Sequence, residues 1–509
     1  MVRKIKVLQI GQVNQMPATL PLGMQWEWLS FAQLAHATPQ AVKAQFPKKF
    51  EIVLIELTNE VIDWHLLDSV VEPYRVFYWH TKEEEAFSIP LANWLKSKMA
   101  KSFELAELDE RLNVWSKTLF AKQAYGAGID LRSIVVNPTL QSQTRYEGNH
   151  YVCVSAQSPK FLPLLSWSRN LSVNANEPLE IWLKHEVEGT CELRLKCVKF
   201  YRGATTQVIE SEYLYLTSPQ MPLIIASDSD LTIALSLEMK GQAMVKVGKL
   251  HYRESRLDLG VFLPGGKKVS DSVGDEIIYY FHPGDLKPPL NVYFSGYRSL
   301  EGFEGYFMME QLGTPFLLIG DPRLEGGAFY MGTPEYERLM LEIIRKHLDY
   351  LGFTSQQLVL SGLSMGTYGA LYYGAQLEPA AIIVGKPLAN IGSIALNGML
   401  TRPTEFYTGF DVVYALTQEM TKASAERLNQ RFWEVFERAD FDQTLFAIAY
   451  MEQDDYDTTA YYDVLERLAD SRAQVRSKGF VGRHNDDSAG IFDWFYKQYQ
   501  LILQDKFKR

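Results

Sequence analysis

The sequence predicts a multidomain α/β protein with three parts: an N-terminal Rossmann-like α/β domain, a middle β-sandwich and a C-terminal α/β domain. Two changes of pattern lead to this prediction. Short apolar strands alternate with helical stretches up to residue 147, strands of period two follow up to residue 258, and strands alternate with helices again beyond it. The 509 residues, 47% of them hydrophobic, are enough for several buried cores. We therefore place the domains at residues 1–147, 148–258 and 259–509.

The N-terminal part shows the alternation that is typical of a parallel sheet covered by helices. Strands are predicted at residues 5–11, 51–57, 75–79 and 133–136, and helices at residues 26–35, 61–71, 84–99 and 103–123. Gly11 stands alone after the first strand, without the further glycines that a dinucleotide-binding turn needs. A structural or partner-docking domain is therefore the preferred interpretation, and a nucleotide-binding domain is the alternative.

The middle part has a period-two pattern that is typical of a β-sandwich. Strands are predicted at residues 151–154, 179–183, 191–200, 211–216 and 231–239. The aromatic residues that could stack on sugar rings are Trp167, Trp182, Tyr201, Tyr213 and Tyr215. Because aromatic residues on strands more often belong to a core, carbohydrate binding is the alternative here and a structural role is the preferred interpretation.

The C-terminal part contains a predicted tight turn with a serine at its apex. The strand at residues 358–360 runs through Gly362-Leu-Ser364-Met-Gly366 directly into a predicted helix. Glycines on either side of the serine permit the strained turn that exposes its hydroxyl group. Strands at residues 275–281, 291–295 and 315–319 and a helix from Thr333 to Gly352 come before it. This order predicts an α/β-hydrolase fold with Ser364 as the nucleophile.

A serine nucleophile needs a base, and the sequence offers one candidate. In this fold the catalytic residues follow the chain order serine, acid, histidine, and His484 is the only histidine after Ser364. It follows a strand predicted at residues 474–481 and precedes a helix that begins near Ile491. We therefore predict His484 as the general base, with a surface-loop histidine that lacks a partner as the alternative interpretation.

The acid that orients the base is expected just after the preceding strand, at residues 445–451. Four carboxylates compete for this role there: Glu452, Asp454, Asp455 and Asp457. We favour Asp454, with Glu452 second and Asp455 third. The others are then solvated loop charges.

Negative charge on a reacting carbonyl oxygen needs hydrogen-bond donors that are already in place. The backbone N–H of Met365, directly after the serine, is one predicted donor. The second is expected in the loop after the strand at residues 291–295, from the N–H of Gly296 or Tyr297.

Charged residues in loops on the same predicted edge of the sheet could shape a substrate pocket. They are Arg298, Asp321 and Arg323. Salt bridges within the loops explain these residues equally well, and the sequence leaves both interpretations open.

Composition narrows the function further. The net charge of −10 argues against nucleic acid as a partner and leaves contact with acidic lipids only to local patches. Three cysteines fit a reducing compartment, and neither an apolar run long enough to span a bilayer nor a signal peptide is present, so we expect a cytoplasmic protein. The nine histidines are scattered, so no metal site is predicted.

Several stretches resemble the accessory secretory protein family of the accessory Sec export system of Gram-positive bacteria, specifically its second Asp component. The stretches that carry the resemblance are Asn291-Val-Tyr-Phe-Ser-Gly-Tyr-Arg298, Pro315-Phe-Leu-Leu-Ile-Gly-Asp-Pro-Arg323, Ser361-Gly-Leu-Ser-Met-Gly-Thr-Tyr-Gly-Ala-Leu-Tyr-Tyr-Gly-Ala375 and Val384-Gly-Lys-Pro-Leu388. By this resemblance Ser364 and His484 match the proposed nucleophile and base of the family. The family has glutamate as its acid, whereas the position with the same offset here is Asp454.

The resemblance implies a function and partners. It implies a serine O-acetyltransferase that acetylates N-acetylglucosamine on serine-rich-repeat adhesin glycoproteins before export. The implied partners are the other accessory Sec Asp components, the export motor and the glycoprotein, with peripheral contact at the inner face of the cell membrane. An acetyl donor is required, and no bound cofactor is expected. A non-catalytic adaptor that delivers the glycoprotein to the motor and a carbohydrate esterase are the two alternatives.

Overall fold

A computed structural model describes residues 4–60, 62–80, 88–204, 206–217, 222–324, 326–401 and 408–509 of the chain. Within these ranges the strands form three sheets, of five, nine and eight strands. In chain order the five-stranded sheet comes first, the nine-stranded sheet second and the eight-stranded sheet last.

The first sheet is parallel throughout, as the alternation of strands and helices predicts. Its strand order is β2-β1-β3-β4-β5. The elements are β1 Ile5–Ile10, β2 Met24–Leu29, α1 Phe31–Ala35, α2 Pro39–Gln45, β3 Ile52–Glu56, β4 Val76–Trp79, α3 Ile89–Ser97, β5 Lys101–Ser102 and α4 Leu108–Thr118.

Two helix predictions in this part differ from the structure. The helix predicted at residues 26–35 is wrong in its first half, because Met24–Leu29 pairs along its whole length with β1 and only Phe31–Ala35 is helical. Of residues 61–71, the stretch Trp64–Leu67 forms a single 3₁₀ turn. The helix predicted at residues 84–99 is observed as α3, while residues 84–87 lie outside the described residues.

The second sheet contains three long strands that hold it together, β9, β11 and β14. Its elements are β6 Gly126–Ile129, β7 Ile134–Val136, β8 Thr144–Glu147, β9 Tyr151–Trp167, β10 Leu171–Val173, β11 Leu179–Tyr201, β12 Val208–Tyr215, β13 Leu223–Ile225 and β14 Leu231–Glu254. All of its pairings are antiparallel.

The described strands of this part form one continuous hydrogen-bonded sheet, where the sequence predicts the two sheets of a β-sandwich. Shifts in register interrupt the pairing of β14 with both β9 and β11. Such bulges bend a strand. Residues from both halves of β14 join one apolar core, so a single bent sheet encloses the core predicted for two. The strand predicted at residues 133–136 pairs with β9, and the middle sheet therefore begins well before residue 148.

The third sheet is the largest α/β unit. Its elements are β15 Lys267–Ser270, β16 Glu276–His282, β17 Leu290–Phe294, α5 Tyr306–Leu312, β18 Phe316–Gly320, α6 Pro334–Leu351, β19 Leu358–Leu363, α7 Met365–Leu377, β20 Ala381–Gly385, α8 Ile391–Thr401, α9 Gly409–Thr417, α10 Lys422–Phe436, β21 Leu445–Met451, α11 Ala460–Leu468, β22 Gln474–Phe480 and α12 Ser488–Phe507. Further 3₁₀ turns lie at Leu105–Glu107, Leu131–Ser133, Pro138–Gln143, Leu257–Leu259 and Ser355–Gln357.

The order of this sheet is β15-β16-β18-β17-β19-β20-β21-β22. The first two strands are antiparallel to their neighbours, and every pairing from β18 to β22 is parallel. Parallel strands end at a common edge, and the register of β19, β20, β21 and β22 brings the loops after them together there. The C-terminal part is therefore a mostly parallel sheet with helices between its strands, as the alternation in the sequence predicts.

Local sequence explains the helix before the central strand. The Thr333 hydroxyl oxygen accepts the N–H of Tyr336 at 3.1 Å, and Pro334 occupies the first turn. Gly352, with φ of +71°, ends the helix in the left-handed conformation. The helix therefore begins and ends where the sequence predicts.

The N-terminal and C-terminal parts share one apolar core. Phe77 of β4 stacks on Trp115 of α4 with ring centroids 4.0 Å apart. In the same cluster lie Tyr280 and Phe316 from the third sheet, and Phe495 from α12. The first and third sheets are therefore joined by buried apolar surface.

A buried charge network joins the middle sheet to the C-terminal part. Glu301, in the loop after β17, accepts a hydrogen bond from Arg253 Nε at 2.7 Å and lies 2.6 Å from His251 Nδ1. Arg253 also pairs with Glu276 at the start of β16. Burial alone would raise the pKa of Glu301, but Arg253 and His251 lower it overall, so the carboxylate stays charged.

Among the described residues, none of the helices combines the length and the apolar character needed to cross a membrane.

Candidate active site

Ser364 lies at the apex of a strained turn between β19 and α7. Its φ of +52° and ψ of −121° are unusual for a residue with a side chain. A β-carbon at Gly362 would overlap the backbone of Gly366, and one at Gly366 would overlap the carbonyl oxygen of Phe294. Both glycines are therefore required by close backbone approach, as the sequence pattern indicates.

The structure brings the predicted nucleophile, base and acid together. Ser364 Oγ lies 2.8 Å from His484 Nε2, and His484 Nδ1 lies 2.8 Å from Asp454 Oδ2. The histidine is 2% exposed, and its ring meets the Tyr456 ring edge-to-face at 4.5 Å between centroids. The imidazole is thus fixed between the serine and the carboxylate in the geometry that general-base activation of a serine requires.

The other oxygen of Asp454 is also engaged. Oδ1 accepts the backbone N–H groups of Tyr456 and Asp457 at 2.9 and 3.2 Å. These donors fix the carboxylate plane and direct Oδ2 to the imidazole.

The remaining carboxylates of this loop have different contacts. Asp455 accepts the backbone N–H of His484 at 3.1 Å, so it holds the loop rather than the ring. Asp457 is buried and accepts N–H groups of Ala389 and Asn390, and its burial raises its pKa. The Glu452 side chain is exposed. Asp454 is therefore the carboxylate that contacts the ring, and Glu452 and Asp455 are not in that position.

The predicted hydrogen-bond donors to a carbonyl oxyanion have different surroundings in the structure. Met365 begins α7, where helix geometry leaves backbone N–H groups without an intrahelical partner, and it lines the pocket around Ser364. The N–H of Gly296 donates to Glu304 Oε2 at 2.8 Å, so the prediction of Gly296 as a donor is wrong. Tyr297, the alternative, lines the pocket and remains the predicted second donor.

The predicted pocket residues Arg298, Asp321 and Arg323 are engaged in hydrogen bonds and ion pairs. Arg323 forms a two-point ion pair with Asp321, with both N–O distances at 2.8 Å. Asp321 also accepts the N–H groups of Ala328 and Tyr330. Arg298 donates to two carbonyl groups of the loop that contains it. The salt-bridged interpretation therefore holds for Asp321 and Arg323.

The pocket above Ser364 has a volume of about 320 Å³ and a largely apolar wall. Sequence reasoning missed five of the residues that line it, which are Phe329, Leu388, Ile394, Tyr456 and Asn485. Two of these residues could have been found from their position in the chain, because Tyr456 lies two residues after Asp454 and Asn485 follows His484 directly. Leu388 follows β20, whose end lies at the same sheet edge. For Phe329 and Ile394 the sequence offered no comparable signal.

A second cavity, of about 230 Å³, lies between the middle sheet and the C-terminal part. Trp182 lines it, together with charged residues of both signs such as Lys184 and Asp275. Burial alone would raise the pKa of Asp275, but Arg323 and Lys184 lower it to about 2. Of the described residues, no group of three or more histidine, cysteine, aspartate or glutamate side chains is placed to hold a metal ion.

Comparison with known proteins identifies the family. The family model for the second Asp protein, described as "Accessory Sec system GspB-transporter", matches residues 5–509. The chain is 40% identical to the second Asp protein of the accessory Sec system of Staphylococcus aureus, over 100% of this chain and 98% of that protein. It is 37% identical to the corresponding accessory Sec system protein of Streptococcus gordonii, over the full length of both.

A solved structure shows the same fold across the chain. A chain of the Glycosylation Associate Protein (Gap123) complex from Streptococcus agalactiae is similar with a TM-score of 0.91 and 36% identity, covering 99% of each chain. From the match of the family model and these relatives, the chain belongs to the family of the second Asp protein of the accessory Sec system.

Proposed function

We propose that the protein is a serine O-acetyltransferase that acetylates N-acetylglucosamine on serine-rich-repeat adhesin glycoproteins before their export. The observation that carries the proposal is the relay of Ser364, His484 and Asp454 at the bottom of a pocket. Membership of the second Asp family supports the place of the reaction in accessory Sec export. A fold alone would not support catalysis, but a serine, an imidazole and a carboxylate in hydrogen-bonding order do.

The first half-reaction forms an acyl-enzyme. His484 Nε2 takes the proton of the Ser364 hydroxyl while Oγ attacks the carbonyl carbon of the acetyl donor. The N–H groups of Met365 and Tyr297 stabilise the negative oxygen of the tetrahedral intermediate. The intermediate collapses, the bond to the leaving group breaks, and the leaving group receives the proton held by His484.

The second half-reaction transfers the acetyl group. A sugar hydroxyl gives its proton to His484 and attacks the acyl carbon, and Ser364 recovers a proton as the ester bond to the enzyme breaks. Transfer exceeds hydrolysis only if the sugar is held at an effective concentration above that of water. Carbohydrate binding by the middle sheet, or by partner proteins, would supply this concentration.

The partners that fit this role are the other accessory Sec Asp components, the export motor and the glycoprotein. Similarity over the whole chain to a component of the Gap123 complex supports work within an assembly of accessory proteins. We also propose that the protein makes peripheral contact with the inner face of the cell membrane.

The direct test compares the wild type with Ser364→Ala by mass spectrometry of the exported glycans. We expect the variant to lose acetylation completely, because no other hydroxyl in the relay can form the acyl-enzyme. Ser471→Ala is a matched control, since that hydroxyl donates to the Leu468 carbonyl group and accepts the Ala473 N–H within one turn. Unchanged acetylation in Ser364→Ala would overturn the proposal.

A non-catalytic adaptor is the second candidate, and the similarity of the entire chain to a component of a complex favours it. In that case Ser364→Ala leaves export intact and acetylation is absent from the wild type as well. Incubation of the protein with acetylated and unacetylated glycopeptide separates transfer from the third possibility, an esterase that removes acetyl groups.

A further inference from the structure

Gly385 and Lys386, which end β20 and begin the loop after it, contact two of the elements that carry the relay. The N–H of Ser364 donates to the Gly385 carbonyl oxygen at 2.8 Å. The N–H of Lys386 donates to the Ala449 carbonyl oxygen at 2.8 Å, in the strand that leads to Asp454. These two residues therefore connect the serine turn to the acid strand.

The side chain of Lys386 reaches the third element, the loop that carries His484. Its Nζ donates to the Asp486 carbonyl oxygen and to Ser488 Oγ, each at 3.0 Å. Asp486 lies two residues after His484, and Ser488 is the first residue of α12. One ammonium group thus fixes both ends of the short segment between the base and the helix.

The backbone of Lys386 is in an unusual conformation. Its φ of +59° lies in the left-handed region, which residues with side chains rarely adopt. The residue is 6% exposed, although lysine is seldom buried. A β-carbon at Gly385 would lie 2.5 Å from the end of the Leu363 side chain, which would have to shift to make room for it. A strained, buried lysine beside an active site is a recognised mark of a functional constraint.

We propose that Lys386 is a positioning residue, which holds the loop of His484 in register with the Ser364 turn and the strand of Asp454. The inference rests on the proposed function of Ser364 as nucleophile. Lys386 makes no contact with the reacting atoms, and it acts through the Asp486 carbonyl group and the Ser488 side chain.

The charged groups around Lys386 fit this role. Burial lowers the pKa of its amino group, and Asp454, Asp486 and Asp487 oppose this shift. The ammonium group therefore lies among carboxylates, including the one that orients the imidazole.

The test uses the full-length chain and the variant Lys386→Met, which keeps the length of the side chain and removes its donors. Lys506→Met is the matched control, because Lys506 Nζ also donates to two backbone carbonyl groups, those of Ala380 and Gln443, at the far ends of β20 and β21. Lys386→Arg tests whether a different cationic donor at this position preserves the wild-type behaviour. The measurements are the rate at which a fluorophosphonate probe labels Ser364, the hydrogen exchange of residues 481–488 and the melting temperature.

We expect Lys386→Met to slow the labelling of Ser364 by about 10–100-fold, because small displacements of a catalytic group have effects of this size. Hydrogen exchange should rise at residues 481–488 in this variant, with partial recovery in Lys386→Arg. In Lys506→Met the labelling rate of Ser364 and the hydrogen exchange of residues 481–488 should stay at the wild-type level, even if the melting temperature of this variant falls.

Equal behaviour of the two methionine variants, or unchanged exchange at residues 481–488 in Lys386→Met, would overturn the inference. If the wild type is not labelled at Ser364 but exchange still rises only in Lys386→Met, the proposed function fails and the positioning role of Lys386 is supported.

Discussion

Replacing Asp454 by asparagine tests whether this carboxylate selects the tautomer of His484 that can activate the serine. In the wild type, Oδ1 of Asp454 accepts two backbone N–H groups, and Oδ2 faces His484 Nδ1. An asparagine side chain must place its carbonyl oxygen towards the two N–H donors, because its NH₂ group cannot accept them. The NH₂ group then points at Nδ1, which has to act as the acceptor.

This forced orientation selects the wrong tautomer of the imidazole. With Nδ1 accepting, the ring proton sits on Nε2 and faces Ser364 Oγ, so the histidine cannot take the proton of the serine. In serine hydrolases of established mechanism, the equivalent change lowers the rate by about 10⁴-fold, or about 5 kcal/mol in activation free energy. We expect Asp454→Asn to slow both probe labelling of Ser364 and acetyl transfer by about 10³–10⁴-fold.

The controls come from the same loop. Glu452→Gln changes an exposed carboxylate, and we expect a rate within about twofold of the wild type, since surface charges have small effects. Asp455→Asn keeps an oxygen that can accept the His484 N–H, so its rate should fall only slightly. A labelling rate of Asp454→Asn within tenfold of the wild type, in a variant with unchanged thermal stability, would refute the reasoning.

Two further predictions concern the turn and the pH dependence of stability. Gly366→Ala would place a β-carbon on the Phe294 carbonyl oxygen, so urea unfolding should show a loss of about 1–3 kcal/mol. Gly398→Ala, on α8 with open space at the same position, should gain about 0.5–1 kcal/mol, and a loss as large as that of Gly366→Ala would contradict the steric argument. The pKa of Asp275 is about 2 in the folded chain against its ordinary 3.8, so the carboxylate contributes about 2 kcal/mol of stability above pH 4, which is lost as the pH falls towards 2. The stability difference between the wild type and Asp275→Asn should therefore narrow mainly between pH 4 and pH 2 in urea titrations, and a constant difference over this range would refute the assignment.

The candidate site was predictable from sequence because the serine, the acid and the histidine of such a site follow one another in a fixed order along the chain. Ser364 stands between two glycines that only such a turn requires, and the single histidine after it leaves one candidate base. Asp454 was chosen from four carboxylates, and the structure shows why the choice could have failed. Asp455 and Asp457 also accept backbone N–H groups nearby, and only the three-dimensional path of the loop directs Asp454 to the ring.

The middle sheet was harder to predict because its strands bend without ending. Gly189 and Gly241 both have φ of +125°, and each β-carbon would overlap the backbone of the opposite strand. In the sequence, glycine after glutamates looks like a turn, so residues 179–183 and 191–200 were predicted as two strands. The structure joins them in the one strand Leu179–Tyr201.

The N-terminal errors have a similar cause. Trp26 and Trp28 lie on β2, the edge strand that pairs with β1, and their spacing of two residues places them on the same face of a strand. Local pattern does not show which neighbour a segment will pair with, so the sheet partner β1 decided the outcome. In the C-terminal part, the sequence analysis also missed α8, α9 and α10, the helices described between β20 and β21, although α8 supplies Ile394 to the pocket.

The buried network at Glu301 limits how the protein can be divided. A fragment that starts at residue 259 would lose Arg253 and His251, which leaves Glu301 without these two partners and Glu276 with only its contact to Lys268 at 3.4 Å. It would also uncover Tyr280 and Phe316, which the first sheet and α4 cover in the intact chain. Attempts to graft this C-terminal unit onto another protein, or to shuffle it between relatives, must therefore carry the preceding 258 residues with it.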